Sequence, residues 1–140
     1  MSIPDFLTLQ IVTPDRSVTH EAVDEVEIPG EEGYLGVLPG HTPLLTSLAV
    51  GDLWFRKGPD RTHLSIAFGF AEVLPNRVTI LAQTAERADD IDITRAQQAM
   101  KRAEERLASR TMEMDFERAR IAMLKSLVRL QVASRGRTRF

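Results

Sequence analysis

The chain has 140 residues, of which 43% are hydrophobic and 27% charged, with a formal net charge of −2. Such a length lies in the single-domain range and buries roughly two thirds of the unfolded surface; the composition excludes a disordered chain, and no apolar run nears the roughly 20 residues that span a bilayer. Residues 1–90 hold 6 Lys/Arg against 14 Asp/Glu, a net of −8, whereas residues 91–140 hold 12 against 6, a net of +6, so the first half turns away from nucleic acid and the tail favours phosphates or an acidic protein surface.

The opening Met1-Ser2-Ile3-Pro4-Asp5 lacks the basic start and apolar stretch of a signal peptide, and the chain has no cysteine. A reducing cytoplasmic setting fits both facts. From residue 6 to 83 short strands of alternating polarity follow. Leu7, Leu9 and Ile11 share one parity, Val26 and Ile28 another, and Leu64, Ile66 and Phe68 repeat the pattern, which in strands puts the apolar side chains on one face. Turn chemistry at Thr13-Pro14-Asp15, Pro29-Gly30, Pro39-Gly40, Gly58-Pro59-Asp60 and Pro75-Asn76 separates them at intervals of about ten residues and predicts a sandwich or barrel. Trp54 and Phe55 are adjacent and must point to opposite faces, so at least one ring meets a second layer or a partner.

At Asp92 the period becomes helical. Ala96, Ala99, Met100, Ala103 and Leu107 fall at three- and four-residue steps, with Asp92 or Thr94 as the cap. A second helix begins near Asp115 and carries Phe116, Ala119, Met123, Leu127 and Leu130 on one face; residues 109–114 link the two. Alanine seams bury little area, so the hairpin is held weakly and its packing is reversible. Neither helix contains proline or glycine before Gly136, which also permits an extended rod. Residues 134–139 have no apolar period and read as a frayed basic end.

Catalytic signals are missing. His20, His41 and His63 have no metal-ligand spacing, so no metal is expected, and without a nucleophile elbow or a phosphate-binding glycine loop no catalytic residue is assigned. His41, within Pro39-Gly40-His41-Thr42-Pro43, is either a ring bonded to local carbonyls or an interface contact. Arg95 and Arg102 stand two helical turns apart, Lys125 and Arg129 one turn apart. A closed hairpin would gather four cations around phosphate, with Asp92 and Glu86 placed to orient an adenine and ribose; the competing reading is intrahelical pairing such as Arg102 with Glu105.

Several stretches together resemble the epsilon subunit of F-type ATP synthases. They are residues 7–14, the loop Gly33-Tyr34-Leu35-Gly36-Val37-Leu38-Pro39-Gly40-His41-Thr42-Pro43-Leu44-Leu45, the run Gly69-Phe70-Ala71-Glu72-Val73 followed by Asn76 and Val78, then Ala85-Glu86-Arg87 and Ile91-Asp92-Ile93-Thr94-Arg95-Ala96. They span nearly the whole chain in the order of that family. The resemblance implies an α+β fold: an N-terminal antiparallel β-sandwich of about ten strands at residues 1–88, then a C-terminal antiparallel α-helical hairpin at 89–140.

The resemblance also implies a non-catalytic subunit of the central rotor stalk, coupling proton-driven c-ring rotation to ATP synthesis and restraining ATP hydrolysis through its C-terminal helices. Its expected partners are the gamma subunit, the c-ring subunits and the alpha and beta subunits, with no nucleic acid and no homo-oligomer. Its place is peripheral, at the cytoplasmic face of the cell membrane. By position Glu31, Glu32, Tyr34 and His41 match the gamma and c-ring interface, Tyr34 standing where some relatives carry an acidic residue. Glu86, Ile91, Asp92, Arg95, Ala96, Arg102, Lys125 and Arg129 match positions that take regulatory ATP in some relatives; Lys125 replaces a usual arginine and loses a bidentate fork. No cofactor is required. The alternative is a free-standing ATP-sensing or anion-binding module whose basic hairpin folds around phosphate.

Overall fold

The computed structural model describes residues 2–109 and 112–137. Seven strands, β1 (Leu7–Val12), β2 (Ser17–Val23), β3 (Glu25–Gly30), β4 (Gly33–Val37), β5 (Leu44–Lys57), β6 (Asp60–Leu74) and β7 (Arg77–Arg87), precede a 3₁₀ turn at Ala88–Asp90 and two helices, α1 (Ile93–Ala108) and α2 (Glu113–Arg137). The strands form one sheet in the order β2-β1-β7-β6-β5-β3-β4. Pairing is antiparallel except where the first strand lies parallel to the last, Leu9 opposite Val78 and Ile11 opposite Ile80. Because β2 also touches β5, the sheet doubles back into two layers. Between the layers lie Leu7, Leu9 and Ile11, the residues whose parity announced them, with Phe55, Leu64 and Ile66.

Among the described residues the strands number seven, against about ten expected, because β5, β6 and β7 run unbroken for 14, 15 and 11 residues and serve both layers. Each exchanges its buried parity along the way: Leu48 gives way to Leu53 and Phe55, Leu64 and Ile66 to Ala71 and Val73, and Val78, Ile80 and Ala82 to Ala85. In β6 the exchange falls at Phe68-Gly69, where both residues have positive φ, 59° and 124°. A Cβ on Gly69 would stand 1.9 Å from the Leu81 carbonyl oxygen, so only glycine fits. Phe68 thereby leaves the core face it was expected to share with Leu64 and Ile66 and is half-buried. Pro29 and Gly30 stay within β3, and the reversal comes one step later at Glu31-Glu32.

Asp92 caps α1, its Oδ1 accepting from the Arg95 backbone N–H at 3.0 Å. Ala96 and Ala103 of the expected seam are buried, and α1 packs chiefly on α2. The second helix departs from its expected pattern. It starts two residues early, with the Asp115 and Phe116 amides donating to the Met112 carbonyl. Phe116 and Leu127 are exposed, and the buried positions are Ala119, Ser126, Val128, Val132 and Ala133. The reason is that α2 serves two neighbours, α1 and the sheet, so a single stripe cannot describe it. Val128, Val132 and Ala133 join Ala88 and Ile91 in a small second cluster.

The frayed end expected at residues 134–139 is a correction: helix α2 continues through Arg137. Contacts with the sheet, invisible to helical periodicity, supply its stability there. Residues 138–140 lie outside the described residues.

Candidate functional site

The junction between α2 and the sheet concentrates the charged contacts of the hairpin. Lys125 places Nζ 5.6 Å from the centroid of the Phe68 ring. Arg129 brings Nε within 2.7 Å of Glu86 Oε1 and donates from Nη2 to Oε2 at 3.3 Å. The Nε proton is not aligned with the carboxylate, so the pair is an ion contact and not a two-pronged fork. Arg135 donates from Nη1 to Asp52 Oδ2. Asp52 is 4% exposed despite its charge. Its carboxylate also lies 3.0 Å from His63 Nδ1 through both oxygens, and its backbone N–H donates to the Tyr34 hydroxyl at 3.2 Å.

An open cleft of about 840 Å³ adjoins this junction, lined by residues that include Arg61, His63, Arg87 and Arg135. Its cations are already engaged. Arg61 lies 4.0 Å over the Trp54 ring, Arg87 Nη2 is 3.4 Å from Glu21, and Arg135 is on Asp52. That leaves little positive charge for an added anion.

The residues matched to regulatory ATP are distributed unevenly. Glu86 and Arg129 are brought together, but by bonding to each other. Asp92 is occupied as a cap, while the Ile91 and Ala96 side chains are buried in packing. Arg95 and Arg102 are exposed and, among the described residues, make no side-chain ion pair or hydrogen bond. Lys125 and Arg129 address the sheet, so the four cations do not surround one space in this folded form. Among the described residues the intrahelical ion pair is Glu117 with Arg120, Nε to Oε1 at 3.1 Å, and not Arg102 with Glu105.

The residues matched to the gamma and c-ring interface also separate. Glu31 and Glu32 form the exposed β3–β4 turn, and His41 follows the far end of β4, which is roughly 17 Å of extended backbone away at about 3.3 Å per residue. His41 Nδ1 lies 2.7 Å from the Thr42 carbonyl and its amide donates to Leu38 O at 3.1 Å, the local bonding that a loop flanked by prolines suggested. Tyr34 has an exposed ring but spends its hydroxyl on the Asp52 amide, which assigns it to the hairpin junction.

A surface missed in the sequence lies on the outer face of the other half of the sheet. Phe70 pairs across strands with Leu81, and Leu81 in turn with Val12. Phe70, Leu81 and Leu45 are 55%, 54% and 70% exposed. Three large apolar side chains on neighbouring strands form a contiguous patch of the sort that marks a protein interface. The parity exchange in β5, β6 and β7 creates it, and alternation read over a single face hides it. Among the described residues no group of metal-ligating side chains gathers, and no helix is long and apolar enough to cross a membrane.

Comparison with known proteins adds an independent line. Residues 6–88 match the family described as ATP synthase, Delta/Epsilon chain, beta-sandwich domain, and residues 89–134 match ATP synthase, Delta/Epsilon chain, long alpha-helix domain. The ATP synthase epsilon chain of Herpetosiphon aurantiacus is 51% identical over 133 residues, covering 95% of this chain and 98% of that one. That of Nitratidesulfovibrio vulgaris is 49% identical over 126 residues, covering 90% and 94%. Among solved structures, a chain of the Euglena gracilis mitochondrial ATP synthase, OSCP/F1/c-ring in rotational state 1, superposes with a TM-score of 0.83 at 27% identity, covering 96% of this chain and 84% of that one. A chain of the Tetrahymena thermophila mitochondrial ATP synthase central stalk and c-ring shares the fold, with a TM-score of 0.56 at 12% identity and coverage of 99% and 100%.

Proposed function

The chain belongs to the ATP synthase delta/epsilon family as one of its epsilon chains, and from that premise we propose that its sandwich transmits rotation in the central stalk while its hairpin restrains ATP hydrolysis by leaving the sandwich. The observation that carries this is the independence of the two packing units. The sheet encloses a complete core of its own, whereas the hairpin rests on it through a small cluster of alanine, valine and isoleucine side chains and three cationic side chains. A unit so attached can detach without unfolding the other.

The exposed Leu45, Phe70 and Leu81 patch supplies the face for gamma, and the acidic Glu31-Glu32 turn supplies a polar tip for the c ring. The basic hairpin, with Phe116, Leu124 and Leu127 exposed, has both charge and apolar area to offer the alpha and beta subunits on extension. The protein makes and breaks no bonds in this role, and it sits peripherally at the cytoplasmic membrane face through the complex. ATP acts as a regulatory ligand through Arg95 and Arg102, whose guanidinium groups are uncommitted among the described residues.

Truncation after residue 90 tests the proposal. The shortened chain is expected to join gamma in the assembled head and to leave ATP hydrolysis unrestrained; unchanged inhibition would remove the regulatory role of the tail. Calorimetric titration of the full chain tests the ligand. Absence of ATP binding at millimolar concentration rejects it and leaves the rotor role standing.

A further inference from the structure

Near the end of α2, Arg135 and Gly136 meet the sheet and the 3₁₀ turn that follows it, in a stretch whose sequence shows no reason to be ordered. A Cβ on Gly136 would stand 2.3 Å from the Ala88 Cβ, so the helix seats there only because the residue is glycine. One position earlier, Arg135 reaches over β5 to Asp52, whose carboxylate is buried on the outer face of the sheet. A buried carboxylate needs compensating charge and hydrogen bonds. Among the described residues Asp52 has two side-chain partners, and they differ in kind. His63 belongs to the adjacent strand and stays whatever the hairpin does; Arg135 departs with α2.

We propose that Asp52, Arg135 and Gly136 form a latch that holds the hairpin folded on the sandwich, so that the last turn of α2 sets the docked population. The other attachments differ in kind. Lys125 hovers over an aromatic ring, and Glu86 and Arg129 are each partly exposed, whereas Asp52 is the one almost fully buried carboxylate among these contacts and is covered by an Arg135 side chain that is itself half exposed. The remaining apolar cluster is limited to five buried side chains, Ala88, Ile91, Val128, Val132 and Ala133, far fewer than the sandwich core. The latch also sits far along α2 from the α1–α2 link, so the helix cannot swing away as a whole until this end lets go. The inference rests on the reading that the hairpin leaves the sandwich and assigns the residues that govern that step.

Hydrogen exchange on the full-length chain tests it. In Arg135→Gln and in Asp52→Asn the amides of residues 128–136 are expected to exchange at least tenfold faster than in the parent, with the double variant no faster than either single one. Gly136→Leu should give the same acceleration while leaving Asp52 and Arg135 in place. Unchanged protection of residues 64–73 verifies that the sandwich remains folded, and Arg120→Gln, which alters an exposed pair elsewhere on α2, serves as the control. Exchange within twofold of the parent in both Arg135→Gln and Gly136→Leu, or additive effects in the double variant, overturns the latch. ATPase measurements separate the two ideas: faster exchange with no change in inhibition retains the latch and discards the inhibitory role.

Discussion

Glu86 at the end of β7 and Arg129 in α2, 43 residues apart, meet at 2.7 Å across the boundary between sheet and hairpin. Their side chains are about a third and a fifth exposed, which places the pair between a surface ion pair and a buried one. Replacing Arg129 by Gln is expected to weaken hairpin docking by about 1–2 kcal/mol, discounted from the several kcal/mol of a fully buried pair. A double-mutant cycle with Glu86→Gln, read by exchange of the α2 amides, measures the coupling. Independent effects would show that the two side chains are neighbours without being partners.

Gly69 and Gly58 make a controlled comparison. Both have positive φ, 124° and 58°, but a Cβ at Gly69 meets backbone at 1.9 Å whereas nothing lies within 4 Å of one at Gly58. Gly58→Ala should cost about 1 kcal/mol, the strain of a left-handed alanine. Gly69→Ala requires β6 and β7 to part and is expected to cost more than about 4 kcal/mol. Chemical denaturation of the two variants decides the matter; similar midpoints would show that β7 yields easily.

Phe70→Ser probes the outer-face patch. The side chain is 55% exposed, so the stability of the isolated chain should change by no more than about 0.5 kcal/mol. Binding to gamma should weaken by about 2 kcal/mol or more, near thirtyfold, if the ring is an interface anchor. Co-purification with gamma at graded concentrations gives the affinity. Retained affinity would remove this patch as the proposed face for gamma.

Asp92→Ala removes the side-chain acceptor for the Arg95 amide, and the loss of such a cap costs about 1 kcal/mol. Asp92→Asn retains an acceptor and should recover most of it. Circular dichroism during thermal melting reports the helical content of both. An equal loss in the two variants would point to charge at the helix start and away from capping.

What could be read from the sequence depended on how local its physical cause was. The alternation in Leu7, Leu9 and Ile11 and the cap at Asp92 arise within a few residues, and the structure has both. The family loop likewise carried its meaning in consecutive residues. Phe68, by contrast, fits the alternation of Leu64 and Ile66 and is turned away by a backbone bend that the neighbouring Gly69 enables. The Asp52–Arg135 contact spans 83 positions and has no periodic signature. Tyr34 illustrates the same limit: its place in the loop was evident, but its hydroxyl is fixed by an amide on β5.

Glu117 and Arg120 form an exposed pair on α2 whose response to acid has a definite direction. Arg120 donates from Nε and Nη2 to the two Glu117 oxygens, both at 3.1 Å, and this hydrogen bonding, helped by the opposite charge, holds the Glu117 carboxyl below its usual value of 4.5. A folded value below the unfolded one means that the helix binds the proton less readily than the unfolded chain, so the pair's contribution is complete above about pH 4.5 and disappears as pH falls through the lower folded value. Carbon-detected NMR titration of the Glu117 carboxyl should place its midpoint below 4.5, and Arg120→Gln should return it upward. High salt should diminish the difference, because both side chains are exposed to screening ions. An Arg120→Gln midpoint equal to the parent's would mean that the pair is not populated in solution.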